Sequence, residues 1–245
     1  MEDSGGSEEE RQTTGQNQGQ GQQDDAGRMT AAMGAEPVSS KTALRAAILA
    51  RRAAGSRWRT ARHSRAVASR VRRLSAWRRA RLILAYAAMR GEVDPGPLVR
   101  RALAEGRVVA LPRVIGPPHG RGAGLAFHRV DSRTRLERSA FGIPEPPDDP
   151  STRVDPADAD LVLVPGVGFS PSGDRLGFGG GYYDGLLPGT PAVAVGLAFE
   201  FQVIESLPRE PWDAPVNAVV TERQVRFGRR RHSFRSSTRV PPTKN

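Results

Sequence analysis

The sequence predicts an α/β fold, a mainly parallel sheet covered by helices on both faces. Short apolar runs of four to seven residues alternate with stretches whose apolar residues recur at helical spacing. Runs without polar alternation mark strands buried on both faces, as in parallel sheets. Clusters of Gly, Pro and Asp punctuate the joins. At 245 residues the chain is long enough to bury a sizeable core. It contains no cysteine, which excludes disulfides, thiolate nucleophiles, iron–sulfur clusters and Cys-based zinc sites.

Residues 1–38 are Gln/Gly-rich, with eight acids against two bases up to Pro37 and almost no apolar content. Such a segment cannot offset its ordering entropy and is expected to be a disordered tail. It has neither the basic start nor the apolar stretch of a signal peptide. From Ser39 the pattern becomes globular. Ser39 or Ser40 caps a helix carrying Leu44, Ala47 and Ile48, and an Arg-rich helix follows with Val67, Val71 and Leu74. A strand is predicted over 82–86. Asp94 then caps a helix opened by Pro95 and carrying Leu98 and Leu103. Strands follow over 108–111 and 125–130. A Pro/Asp-rich loop around 144–156 precedes a fully apolar strand at 161–164. Strands at 192–198 and 218–221 flank a short helical stretch near 201–207. The last segment, 223–245, holds eight bases and no acid and is expected to be a basic tail. No apolar run approaches the roughly 20 residues needed to span a bilayer. No membrane partner is therefore expected, and a cytoplasmic location is.

The formal net charge of +11 suggests a polyanionic partner. No acid occurs between Glu36 and Glu92, while fifteen positive charges lie between Lys41 and Arg90. Yet only Lys41 and Lys244 of the 37 basic residues are lysine, a skew that looks like coding bias. That bias makes Lys41 stand out, because an ammonium acts as a movable point charge on a phosphate where a planar guanidinium does not.

The chemistry concentrates in LVLVPGVGFSPSGDRLGFGGGYYDGLL, residues 161–187. An apolar strand runs into a glycine-rich loop and then into Tyr-Tyr-Asp, which opens a short helix. Ligands of open α/β sheets bind beyond the carboxyl ends of strands, where such loops lie. Glycines let backbone amides approach phosphate oxygens, and the following helix turns its positive end toward an anion. Arg175 adds a fork of donors, and Asp184 is a hard oxygen ligand suited to Mg²⁺. There is no P-loop signature, no complete dinucleotide fingerprint and no GxSxG elbow. The four histidines show no metal-ligand spacing.

The block RLGFGGGYYD, with PGVGF before it, resembles the most diagnostic segment of the 5-formyltetrahydrofolate cyclo-ligase family. KTALR, AYAAMRGEVD, ALPRV, FGIPEP and GLAFEFQVIESLPREPWDAPVNAVVTE resemble further family segments in order. Together they make 39–222 a single catalytic domain, outside which the two tails lie. The resemblance implies a three-layer α/β/α sandwich that uses ATP and Mg²⁺ to convert 5-formyltetrahydrofolate to 5,10-methenyltetrahydrofolate. By the same resemblance, Lys41, Arg45, Arg175, Leu176, Gly177, Phe178, Gly179, Gly180, Gly181, Tyr182 and Tyr183 contact ATP. Arg45, Glu92 and the 178–182 segment contact the reduced folate, and Asp184 and Asp213 bind Mg²⁺. No single general base is implied. Asp94-Pro95 and Asn217 depart from the usual family pattern, away from these positions.

Two rivals remain on the sequence alone. One is a nucleic-acid-binding protein using the Arg-rich 51–81 region and the basic tail, against which no reader motif is found. The other is a different phosphate-ligand enzyme on a similar scaffold, which has no use for the whole RLGFGGGYYD block.

Overall fold

A computed structural model describes residues 40–89, 91–116, 124–139 and 142–229. The expected N-terminal tail, Ser39 and the last sixteen residues of the expected basic tail lie outside them. Three helices open the described chain: α1 (Lys41–Ala53), α2 (Arg57–Val71) and α3 (Ser75–Arg79). Next come β1 (Leu82–Leu84), α4 (Gly96–Ala104), β2 (Val108–Ile115) and β3 (Gly124–Val130). Short strands β4 (Glu137–Arg138), β5 (Pro144–Glu145) and β6 (Arg153–Val154) lead to β7 (Leu161–Val164). Then follow β8 (Gly168–Phe169), β9 (Arg175–Leu176), α5 (Tyr182–Leu186), β10 (Val193–Leu197), β11 (Ala218–Val220) and β12 (Val225–Phe227).

The main sheet has eight strands in the order β12-β11-β10-β7-β1-β2-β3-β6. The run from β11 to β2 is parallel, whereas β12, β3 and β6 pair antiparallel at the two sides. From β1 the chain steps to β2 on one side, then returns to place β7, β10 and β11 on the other. The strand order therefore reverses between β1 and β7, and ligands of doubly wound sheets bind at the carboxyl ends of strands at such a point.

Strand alternation divides the core. Ile83, Leu161, Leu163 and Val195 face a cluster with Val67 and Val71 of α2, Trp77 of α3 and Leu98 of α4. Leu84, Val162, Val164 and Ala194 face the other way, toward Phe169, Leu187 and the partly buried Tyr183 and Leu186. The three layers are thus unequal: three helices cover one face, while only the five-residue α5 and adjoining loops cover the other. Helix α1 lies apart, its Ile48 clustering with Val167, Leu176 and Leu207 around the β8–β9 hairpin.

Several local expectations change. The stretch near 201–207 forms only a 3₁₀ turn, Glu200–Gln202. Its Gln202 is buried and turned inward, donating to the Gly166 and Val167 carbonyls and accepting from the Phe199 amide. Strand β2 continues past its predicted end to Ile115, through Pro112. Pairing with β1 stops at Ala110, so Pro112 has a strand on one side only and its missing N–H is tolerated. The tail expected from residue 223 begins later. Strand β12 pairs with β11, and Gly228 and Arg229 donate backbone hydrogen bonds to Asn217 and Ser172. Basic composition concealed this edge strand, whose Val225 and Arg226 are half-buried.

Candidate active site

Beyond the carboxyl ends of β1 and β7 lies a cavity of about 870 Å³. All fourteen residues singled out in the sequence line it: Lys41, Arg45, Glu92, the 175–183 stretch from Arg175 to Tyr183, Asp184 and Asp213.

Helix α1 supplies the first two. Ser40 caps it, its hydroxyl accepting from the Ala43 amide at 3.2 Å. Lys41, Arg45, Ile48 and Arg52 follow at helical spacing and share one face. Ile48 anchors that face against the β8–β9 hairpin, so the two cations ahead of it point into the cavity. Arg45 Nε donates to the Gly177 carbonyl at 2.8 Å, tying α1 to the glycine loop. Lys41 Nζ lies 2.6 Å from Asp213 Oδ2, which also accepts from the Glu210 amide at 2.7 Å.

The loop leaves β7 through Pro165 and Gly166. Phe169 is fully buried and fills the space a side chain would need at Gly166 and Gly196. Burying this ring contributes about 1.5–3 kcal/mol and sets the level at which the β8–β9 hairpin stands. Strand β9 delivers Arg175, only 5% exposed in its side chain, with Nη2 2.7 Å from Asp184 Oδ1 and its guanidinium 5.6 Å from the Tyr183 ring centre. Asp184 Oδ1 also accepts from the Ala214 amide at 3.1 Å, which brings its carboxylate beside the Asp213 turn. Gly179 and Gly181 adopt φ of +110° and +69°, a region that disfavours side chains. The helix expected to aim its positive end at an anion is only α5, too short for a substantial macrodipole. Loop amides and the three cations are left to serve that end of the cavity.

Elsewhere in the cavity wall, Gly91 turns the chain after β1 with φ +78°, and Glu92 is buried. Its Oε2 accepts from the Met89 amide at 2.9 Å, while Oε1 accepts no hydrogen bond among the described residues. Burial pushes the Glu92 carboxyl above its ordinary range, opposed by the Met89 hydrogen bond and the Arg52 charge. Burial likewise raises the Tyr86 and Tyr183 phenols, keeping both protonated near neutrality. Tyr86 donates to the Val93 carbonyl at 2.6 Å.

Several lining residues escaped the sequence reading: Tyr86, Met89, Pro112, Val114, Leu125, Ile143, Glu145 and Trp212. Tyr86 is the last residue of the strand predicted over 82–86, which in the structure ends at Leu84, so its position near the strand's carboxyl end was legible. Val114 and Leu125 were not, since their approach depends on the β2–β3 pairing. Glu145 is a buried carboxylate on the short strand β5, with no distinctive spacing to reveal it.

The family model described as the 5-formyltetrahydrofolate cyclo-ligase family matches residues 37–222. A 5-formyltetrahydrofolate cyclo-ligase from Escherichia coli K12 is 33% identical over 150 residues, covering 60% of this chain and 80% of the relative. The solution structure of Aquifex aeolicus 5,10-methenyltetrahydrofolate synthetase superposes with a TM-score of 0.67 at 38% identity, covering 81% of this chain and 98% of that one. A Mycoplasma pneumoniae 5,10-methenyltetrahydrofolate synthetase shares the fold, with a TM-score of 0.60 at 23% identity over 75% of this chain and 99% of that one.

Proposed function

Because the chain belongs to the 5-formyltetrahydrofolate cyclo-ligase family of enzymes, we propose that it cyclises 5-formyltetrahydrofolate to 5,10-methenyltetrahydrofolate, consuming ATP with Mg²⁺ and releasing ADP and phosphate. The observation that carries this reading is the single cavity in which Lys41, Arg45, Arg175, Asp184 and Asp213 meet the glycine loop while Glu92 lies buried in the same wall.

A formamide carbonyl is a poor electrophile, so direct attack by the neighbouring folate nitrogen is slow. The formyl oxygen attacks the γ-phosphorus, ADP leaves, and the formyl carbon becomes an activated imidate. The second nitrogen then attacks that carbon within the same molecule, loses its proton, and phosphate departs. Such chemistry needs positioning and charge neutralisation more than a protein nucleophile, consistent with a chain lacking cysteine.

The residues fit a shared metal. Among the described residues no cluster of three His, Cys, Asp or Glu side chains forms a self-sufficient metal cage. Mg²⁺ is instead typically held by one or two carboxylates together with substrate phosphates, the role assigned to Asp184 and Asp213. Bound there, it would neutralise phosphate charge. Lys41 and Arg175, now set against those carboxylates, would turn to phosphate oxygens along with Arg45 and the amides of 177–181. Glu92 would accept from the pterin ring amide and exocyclic amine through its open oxygen.

No described helix is long and apolar enough to cross a membrane. The nucleic-acid reading gains no specific support. Val67, Val71 and Trp77 of the Arg-rich helices are core residues, and Arg107 stacks 5.1 Å from the Trp77 ring.

Incubation with 5-formyltetrahydrofolate, ATP and Mg²⁺ should generate methenyl absorbance that requires all three. Absence of product at high enzyme concentration would overturn the proposal.

A further inference from the structure

Arg52 ends the face of α1 that begins with Lys41, yet it does not line the cavity. Its side chain is 5% exposed, and its guanidinium carbon lies 5.4 Å from the centre of the Phe178 ring. Nη1 lies 3.6 Å from Glu92 Oε1, close enough for charge attraction but too far for a hydrogen bond. The Arg52 backbone also borders the Gly91 turn, its carbonyl 3.4 Å from where a Gly91 side chain would begin. One residue therefore touches the helix bearing the phosphate-end cations, the turn bearing Glu92 and the aromatic of the glycine loop. Burying a guanidinium is costly, and an apolar side chain of similar volume would fill the space at less expense. Packing alone does not account for it.

We propose that Arg52 is a positioning residue for the folate end of the cavity: it keeps Glu92 ionised with Oε1 open to substrate and registers Phe178 of the glycine loop against that carboxylate. The proposal rests on Glu92 being the pterin contact. A hydrogen-bonding cation would occupy Oε1, whereas one held just beyond bonding distance supplies charge and leaves the acceptor vacant. Among the described residues, the titratable groups acting on Glu92 are Arg52 from α1, Tyr86 after β1 and Tyr183 from α5, and both phenols stay neutral over the working range. Among the described residues, Arg52 is thus the cation acting on it. Lysine would preserve that charge but not the flat surface laid on Phe178.

The test is calorimetric binding of 5-formyltetrahydrofolate and, separately, of Mg-ATP to the full chain and its variants between pH 5 and 9. Circular dichroism establishes that each variant is folded. Arg52→Met should weaken folate binding about tenfold at pH 7 and change Mg-ATP binding less than threefold. The loss should deepen toward pH 5 and partly recover toward pH 9, because removing the cation moves the Glu92 titration upward. Arg52→Lys should restore the pH profile but only part of the affinity. Arg52→Met combined with Glu92→Gln should lose less folate affinity than the two single losses combined, the remainder over Glu92→Gln being the Phe178 contact. Equal, pH-independent losses for both ligands, or additive losses in the double variant, would reduce Arg52 to packing. Should Arg52→Met not fold, Arg52→Lys carries the cycle, and an unmoved split between the ligands overturns the proposal. If Glu92→Gln binds folate normally, the pterin role of Glu92 falls and this proposal with it. If Glu92→Gln is impaired but Arg52→Met is not, this proposal alone falls.

Discussion

Beside the glycine loop, Lys41 and Arg175 lie 2.6 and 2.7 Å from Asp213 and Asp184, within full hydrogen-bonding contact. At the Gly91 turn, Glu92 has its cation 3.6 Å away and an oxygen that accepts no hydrogen bond among the described residues. The first arrangement suits exchange, since a divalent cation arriving with a polyphosphate gives every protein charge a new partner. The second suits recognition by a neutral heterocycle, because the acceptor is already desolvated and held in place. On the proposed function, charge is stored as replaceable pairs where ATP and Mg²⁺ would bind, and as one buried carboxylate where the pterin would bind.

The comparison breaks most sharply at Asp184. If the proposed metal role holds, Asp184→Asn removes a ligand as well as the partner of Arg175, so turnover should fall on the order of a hundredfold or more. A Mg²⁺ titration of the rate should show a higher requirement, and an unchanged rate and Mg²⁺ dependence would refute the metal role.

Glu92→Gln should raise KM for the folate about tenfold or more, with KM for ATP little changed, since hydrogen bonds to charged groups contribute roughly 1.5–3 kcal/mol. A change of equal size in both constants would erase the distinction between the two regions.

Lys41→Ala should raise the ATP requirement about tenfold, leaving folate affinity near normal. Steady-state kinetics with each substrate varied separates the two.

A pH profile sharpens the contrast. Glu92 has a raised pKa, so its ionised form is lost as pH falls through a value above the ordinary 4.5 for glutamate. Folate KM should therefore begin to rise at a higher pH than an exposed glutamate would produce.

The smallest effect lies away from the cavity. Arg226 of β12 holds the Glu200 carboxyl down at about 2. Its contribution is fully present above about pH 4.5 and is lost as pH falls through about 2. Glu200→Gln should lower stability by about 1 kcal/mol at pH 7, seen by thermal melting, with turnover at 25 °C unchanged. Truncation after Arg229 should leave turnover within about twofold by the same stability logic, whereas truncation after Glu222 strips β12 from the sheet and should lower the melting temperature by several degrees.

Much of this was legible before any coordinates. Four-residue spacing placed Lys41 and Arg45 on one helix face, apolar runs located the parallel strands, and the glycine block marked the loop. The stretch near 201–207 misled because its apolar residues pack into different clusters, Val203 into one and Ile204 and Leu207 into another, while Gln202 turns inward to hold the loop. The edge strand β12 was hidden because a strand with one partner and a solvent side needs little apolar content.

Local order, then, was written in the sequence, because helix and strand periods depend on residues only a few positions apart. Lys41 meeting Asp213 across 172 positions, Arg52 reaching both Glu92 and Phe178, and the burial that raises Glu92 belong to the tertiary structure alone. These depend on distances and dielectric surroundings that exist only once α1, the Gly91 turn and the glycine loop have converged beyond the carboxyl ends of β1 and β7.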